Sequence, residues 1–365
     1  MKKVVCMLIL ISLFLGFANV ATSAQTNNAV SDVSGGWIVK SRFDYDQKYA
    51  VIVVGTYGVK NQVKISGNTR EQYYEWFTGS AQRRFNLLTE KYGFIADNIY
   101  VLLTEVHKEG YNPASSFDPS GFKNYYNATK ENITMVFDEL KSKVDNNDLL
   151  VVDLIGHGGD DHTHTFFRLL ARLGLIKSPL IVDFRKGVRA SDTYMALEKE
   201  NYADSYTASL TRDQFFGYEN SSSSDYSLYD HELASYTNDI DARRVVYILQ
   251  PCFSGGFIND LSKSNHVIIT SSKEGEMAGD FLGPLNNGFD GSADLNEDGR
   301  ISLAELFDYT ITHIDHETEG VFHPLLDDNG DKIGSVDLTG EDGQVSSSIY
   351  DLSYEEIDIL SVPNI

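Results

Sequence analysis

Five short apolar runs constrain this chain more than any other feature: "YAVIVV" (49–54), "NIYVLL" (98–103), "LLVVDLI" (149–155), "RVVYIL" (244–249) and "HVIITSS" (266–272). None alternates apolar with polar residues, so each reads as a strand covered on both faces. Strands of that kind belong to parallel sheets, whose crossover connections lay helices over each side. Helical patterns fall between them. Residues 70–92 carry Phe85, Leu87 and Leu88 ahead of a Tyr92-Gly93 stop. A second helix starts at Thr129, with Ile133, Val136, Phe137, Leu140 and Val144 at helical spacing, and "YDHELASYTN" (229–238) supplies a third. The predicted fold class is therefore α/β, with a mostly parallel sheet between helical layers. Residues 104–126, rich in Gly, Pro, Ser and Asn, read as a long loop, and 163–225 as an insertion or mobile loop. In such folds ligands gather at the carboxyl ends of the strands.

The N-terminus reads as a targeting segment. Lys2 and Lys3 precede an apolar run over 4–18, and Thr22-Ser23-Ala24 offers small residues for cleavage. This is the pattern of a secretory signal peptide over 1–24, which predicts a secreted, extracellular or cell-surface protein with no integral membrane segment after cleavage. The formal charge is -23, and loss of Lys2 and Lys3 makes it -25. So acidic a chain is a poor partner for nucleic acid or anionic membranes. Cys6 departs with the signal, leaving Cys252 as a lone thiol.

Two of the strands end on reactive side chains. "LLVVDLI" runs into Gly156-His157-Gly158-Gly159, and "RVVYIL" runs through Gln250 and Pro251 into Cys252, followed by Phe253-Ser254-Gly255-Gly256. On neighbouring parallel strands both ends reach one rim. A histidine there can take the thiol proton and create the nucleophile that acyl transfer needs. The glycines allow sharp turns, and the N–H groups of Gly158 and Cys252 are candidates for an oxyanion hole. "DDHTH" (160–164) raises zinc, but two histidines one residue apart with no third ligand at metal spacing read as a polar loop.

"LLVVDLIGHGG" and "VVYILQPCFSGGF" resemble the paired signatures of clan CD cysteine peptidases, a hydrophobic block ending in His-Gly and another ending in Cys. The closest resemblance is to the legumain family, which includes the catalytic subunit of the glycosylphosphatidylinositol transamidase. "NATKENITMVFDELKSKVDNND" is similar to that family's Thr-x-x-Asn helix, and "YAVIVVGTYGVKN" to its first strand and loop. The resemblance covers 48–280. It implies a caspase-like three-layer αβα sandwich and a peptide or protein substrate, with Cys252 as nucleophile and His157 as acid–base. Asn61 stands where the family has an asparagine supporting the histidine. Ser271, Ser272 and Glu274, after the last strand, stand where clan members build a wall of the specificity pocket. The family follows its asparagine with Arg-His, whereas this chain has Val63 and Lys64, and the preference for Asn or Asp is not carried over. "CFSGG" looks more like the metacaspases.

"DLNEDGRISLAE" (294–305) matches the twelve-residue calcium loop throughout. Oxygen ligands fall at positions 1, 3 and 5 (Asp294, Asn296, Asp298), Gly299 at 6, the Arg300 carbonyl at 7, Ser302 at 9 and Glu305 at 12. A structural Ca2+ is the expected cofactor, with no organic cofactor. "LLDDNGDKIGS" (325–335) is a partial second loop, with Asp327, Asn329 and Asp331 but no glutamate at the twelfth position. The expected organisation is a signal peptide (1–24), an N-terminal extension (25–47), a peptidase domain (48–290), a calcium-binding segment (291–337) and an acidic tail (338–365). The expected activity is that of a secreted cysteine endopeptidase. A transamidase or ligase using the same dyad, and an inactive calcium-binding module, are the alternatives.

Overall fold

The computed structural model describes residues 30–33, 36–55, 64–65, 68–103, 118–160, 193–196, 227–316 and 322–358. The strands, in chain order, are β1 (Val30–Val33), β2 (Gly36–Asp44), β3 (Lys48–Gly55), β4 (Lys64–Ile65), β5 (Asn68–Thr69), β6 (Ile99–Leu103), β7 (Asn124–Asn127) and β8 (Leu149–Gly156). They continue with β9 (Gly158–Asp160), β10 (Thr193–Ala196), β11 (Ser227–Tyr229), β12 (Arg244–Leu249), β13 (His266–Thr270), β14 (Leu325–Asp327), β15 (Ile349–Tyr350) and β16 (Tyr354–Asp358). The α-helices are α1 (Arg70–Glu90), α2 (Lys130–Lys143), α3 (Asp230–Thr237), α4 (Ile258–Leu261), α5 (Leu282–Asn287) and α6 (Leu303–Thr312).

Seven strands form the central sheet, in the order β14-β13-β12-β8-β3-β6-β7. All neighbours are parallel except the edge pair β13–β14. The apolar runs are continuous because successive residues feed two different cores. Ala50, Ile52, Val54, Val151, Ile155, Val246 and Ile248 face α1, α5 and α6, packing with Phe77, Leu88, Leu285 and Phe307. Val51, Val53, Val152, Leu154, Val245, Tyr247 and Leu249 face α2, α3 and α4, packing with Ile133, Phe137, Leu233 and Leu261. The architecture is thus mixed α/β, a mostly parallel sheet with helices on both sides. Thr129 caps α2, its side chain accepting from the Asn132 N–H, which is why the helix begins there.

Within the α1-side core sits one buried ion pair, Arg84 Nε to Asp153 Oδ2 at 3.2 Å. The guanidinium also stacks on Phe289 at 3.9 Å and donates to Asn286. Burial pushes the Asp153 carboxyl up and Arg84 partly restrains it.

Two expectations of the sequence differ from the structure. The stretch read as loop to residue 126 ends in a strand, since Asn124–Asn127 pairs with β6 at the sheet edge. An edge strand is only half covered, so "NYYN" needs no apolar run. The tail and the N-terminal extension are also structured. β16 pairs antiparallel with β2, giving a separate four-stranded sheet in the order β1-β2-β16-β15. Its buried Glu355 accepts from Tyr45 at 2.5 Å and from Arg244 Nε at 2.9 Å, clamping the tail to the amino end of β12. Among the described residues, no helix is long and apolar enough to cross a membrane.

Candidate active site

β8 and β12 are hydrogen-bonded neighbours with Leu154 opposite Leu249. His157 therefore follows the carboxyl end of one strand, and Cys252 lies three residues beyond the end of the next. The ladder does not stop where the strands do. Gln250 N–H donates to the Leu154 carbonyl at 2.9 Å, and the Gly156 N–H donates to Gln250 Oε1 at 2.7 Å. Main chain and side chain of one buried residue thus lock the two strand ends that carry the histidine and the cysteine.

His157 is partly buried, with its ring edge-on to Phe77 of α1, centroids 5.2 Å apart. Burial pushes its pKa down to about 4. The imidazole is consequently neutral near pH 7, the form that accepts a proton.

Cys252 is a partly buried thiol outside any disulfide among the described residues. Its Sγ accepts from the Ala278 N–H at 3.3 Å. The thiol in turn faces the Ala278 carbonyl at 3.9 Å, so one residue's backbone brackets the sulfur. The next residue takes the turn: Phe253 is left-handed at φ 66°, an uncommon state for an aromatic residue. Its N–H, at 2.7 Å from the Glu276 carbonyl and 3.0 Å from Ser272 Oγ, helps hold it there. A short 3-10 turn (Ser254–Phe257) leads into α4. The sequence assigned the bend to the glycines, but Gly255 serves close packing. A Cβ on it would stand 2.4 Å from the Glu274 backbone nitrogen.

Ser271 and Ser272, expected along the pocket wall, have no exposed surface. Ser271 Oγ donates to the carbonyls of Gln250 (2.7 Å) and Pro251 (3.0 Å), and Ser272 Oγ donates to the Glu276 carbonyl (3.1 Å). They are struts beneath the cysteine turn, and the reason is burial: hydroxyls so enclosed bond inward and leave nothing for a substrate. Glu274 lies in the same turn, its backbone against Gly255. Gly158 opens β9, opposite Met195 of β10. Asn61 and Val63 lie outside the described residues, and Lys64 opens the β4–β5 hairpin. Asp161, His162 and His164 also lie outside them.

Residues 294–305 form a tightly hydrogen-bonded acidic loop. Asp294 accepts from the N–H groups of Asp298 (3.0 Å) and Gly299 (2.9 Å), Asn296 from that of Asp298, and Asp298 from that of Arg300. Glu305 closes the loop by accepting from the N–H of Asn296 and of Ser302. Ser302 also caps α6. The Arg300 guanidinium stacks over Tyr350 at 4.8 Å, joining the loop to the C-terminal strands. Among the described residues no group of three or more His, Cys, Asp or Glu side chains is already gathered around a metal position.

Four participants escaped the sequence reading. Gln250 looked like a polar break at a strand end, Ala278 acts through its backbone alone, and Phe77 was not singled out. Glu276 supplies the carbonyl that holds Phe253, while its carboxylate binds His323 Nδ1 at 3.0 Å and the His323 N–H at 3.1 Å. Only Gln250 had a usable signal, an amide interrupting an apolar strand just ahead of the thiol.

No protein-family model matches the chain. No curated protein matches it. Among solved structures the chain is similar to the crystal structure of protein GSU0716 from Geobacter sulfurreducens, with 13% identity and a TM-score of 0.40, over 77% of this chain and 92% of that one.

Proposed function

We propose that the chain is a secreted cysteine endopeptidase of caspase-like fold, working through Cys252 and His157. The observation that carries this reading is the pairing of β8 with β12, extended by Gln250, which sets a neutral histidine and a lone thiol past adjacent strand ends. The resemblance of both motifs to the clan CD signatures supports it.

In the proposed reaction His157 takes the Cys252 proton, and Sγ attacks the scissile carbonyl carbon. The carbonyl oxygen gains negative charge, which the N–H groups of Cys252 and Gly158 are assigned to hold. The C–N bond then breaks as His157 returns the proton to the departing amine, leaving a thioester. Water, deprotonated by the same imidazole, hydrolyses the thioester and restores the thiol.

A structural Ca2+ is proposed for 294–305, bound by Asp294, Asn296, Asp298, the Arg300 carbonyl, Ser302 and Glu305. The donors are hard oxygens of the kind calcium takes. The loop abuts the C-terminal strands, where the Asp351 N–H donates to the Ile301 carbonyl at 2.8 Å. The ion would therefore stiffen the join between α6 and the tail. Secretion follows from the signal-like segment 1–24.

The test is labelling with a peptide carrying a thiol-directed electrophile. Wild-type protein is expected to form a covalent adduct on Cys252 and to cleave members of a peptide library, with Cys252→Ala doing neither. Equal behaviour of the two proteins overturns the reading.

A further inference from the structure

The second acidic loop was left without a role by the function proposed above. It begins at Asp327, the last residue of the edge strand β14, and returns at Ser335, whose N–H and carbonyl pair with Leu326. Asp327 is 1% exposed. Its Oδ1 accepts from the Gly330 N–H at 3.1 Å, whereas Oδ2 is buried with no hydrogen bond of ordinary geometry. The Ser262 hydroxyl lies near enough to ease the charge, though not aligned on Oδ2, and it accepts from the Lys332 N–H. Asp328 and Asp342 are buried as well. Among the described residues, none of Asp327, Asp328, Asp331 and Asp342 is ion-paired with a lysine, arginine or histidine. A carboxylate oxygen buried among other carboxylates, with no cation of the protein to balance it, calls for a cation from outside.

The oxygens suit calcium. Counting Asp327 as the first position, Asn329 is third, Asp331 fifth and the Ile333 carbonyl seventh. The Asp331 N–H bonds to Asn329 Oδ1 at 2.8 Å and the Ile333 N–H to Asp331 Oδ1 at 2.7 Å, matching the pattern in 294–300. Both loops take left-handed residues at their fourth and sixth positions. These are Glu297 (φ 59°) and Gly299 (φ 83°) in the first, Gly330 (φ 80°) and Lys332 (φ 69°) in the second. What the second loop lacks is a glutamate at the twelfth position, which is Leu338. Asp342 takes that part. It returns to the loop held by the Asp328 N–H at 3.2 Å and by Ser335 Oγ at 2.6 Å, with each oxygen keeping a free lone pair.

We propose that Asp327, Asn329, Asp331, the Ile333 carbonyl and Asp342 bind one calcium ion, separate from the ion assigned to 294–305. This site also bears on the cysteine. Gly330 packs so tightly on the chain after α4 that a Cβ would meet the Lys263 carbonyl carbon at 2.7 Å. Lys332 is tied to Ser262 at the end of the same helix, and α4 starts six residues after Cys252. Occupancy fastens β14 and α4 together behind the nucleophile's turn.

The experiment is calorimetric titration of chelator-stripped full-length protein with calcium chloride, with far-UV circular dichroism as folding control. Wild type is expected to bind two ions per chain. Glu305→Gln is expected to bind one, through the second loop, and the double variant Asp327→Asn/Asp331→Asn one, through the first. Asp342→Asn, which keeps the shape of the side chain, is expected to fold and to weaken one of the two ions by about tenfold or more. It decides the matter if the double variant fails to fold. A folded double variant that still binds two ions, or unchanged affinities in Asp342→Asn, overturns the proposal. If Glu305→Gln binds as wild type while Asp342→Asn weakens binding, the first-loop assignment fails and this one stands.

Discussion

The two ends of the central sheet are built on opposite principles. At the amino end, charges do the joining: Glu355 on β16 meets Arg244 at the start of β12, with the Arg243 guanidinium stacked 3.5 Å over Phe43. At the carboxyl end the cysteine turn itself is held by neutral contacts. Gln250, Ser254, Ser271 and Ser272 knit it through amide and hydroxyl bonds, His157 is held uncharged, and Glu276 is bonded to His323 beside the turn. An ion pair stabilises only while both partners stay charged, which suits an end that is merely held shut. At a rim that must pass protons, fixed neutral dipoles position the reacting groups without pinning their charge. The difference separates a clamp from a candidate workplace.

The comparison can be broken most strongly at the rim. Cys252→Ala is expected to lower peptide cleavage at least ~10³-fold while shifting the urea midpoint little, because a small side chain is replaced by a smaller one. A protein that cleaves unimpaired without the thiol dissolves the distinction. At the other end, Glu355→Ala leaves the largely covered Arg244 guanidinium without its carboxylate. A loss of about 3–5 kcal/mol in unfolding free energy is expected, with kcat unchanged in whatever fraction stays folded.

Gln250→Ala sharpens the rim further. With the Oε1 acceptor gone, the Gly156 N–H is left buried and the offset between His157 and Cys252 loosens. A fall in kcat of about 10–100-fold is expected with KM nearly constant, because misplacement affects the reacting atoms rather than substrate uptake. A change confined to KM would make Gln250 a substrate contact instead.

Acid should undo His157 and Glu355 in different windows. The folded pKa of His157 is about 4 against an ordinary 6.5, so the unfolded chain binds more protons between those values. Stability is then full above about 6.5 and declines as pH falls towards 4, by about 1–2 kcal/mol for a ring only partly shielded. His157→Gln is expected to flatten that slope in urea titrations. His266, likewise pushed down to about 4 by burial, remains as a second contributor in the same window. Glu355 behaves otherwise. Burial opposes its charge, but the bond and charge of Arg244 hold it below its ordinary 4.5. Its contribution is present above 4.5 and lost only as pH drops below that value. An acid limb of kcat/KM near 4 rather than 6.5 would report the same histidine in action.

Much of this was legible in the sequence, and the reasons are local. A fully buried parallel strand must be apolar on both faces, so β3, β6, β8, β12 and β13 stand out without any knowledge of their neighbours. Thr129 announces its helix because a cap acts on its own first turn. His157 and Cys252 were visible as chemistry at strand ends. The edge strands of the central sheet and the second sheet were not legible: β7 is half exposed, β14 is three residues long, and β16 is sheet only through its pairing with β2 and β15. The struts of the site were hidden for the same reason. Ser271 reads as a pocket residue until its contact with Ser254, 17 positions away, is seen.

By itself, then, the sequence determined which segments must be buried, where the helix after Thr129 starts, and which side chains are candidates for attack on a carbonyl or for a hard cation. These depend on side-chain chemistry and on spacings of a few residues. Only the tertiary structure decided that β8 and β12 are neighbours, that Gln250 ties their ends, that the tail returns to clamp the amino end, and that Asp342 comes to lie beside Asp327. Those are contacts between residues far apart in the chain, and they are chosen by packing, which no local pattern encodes.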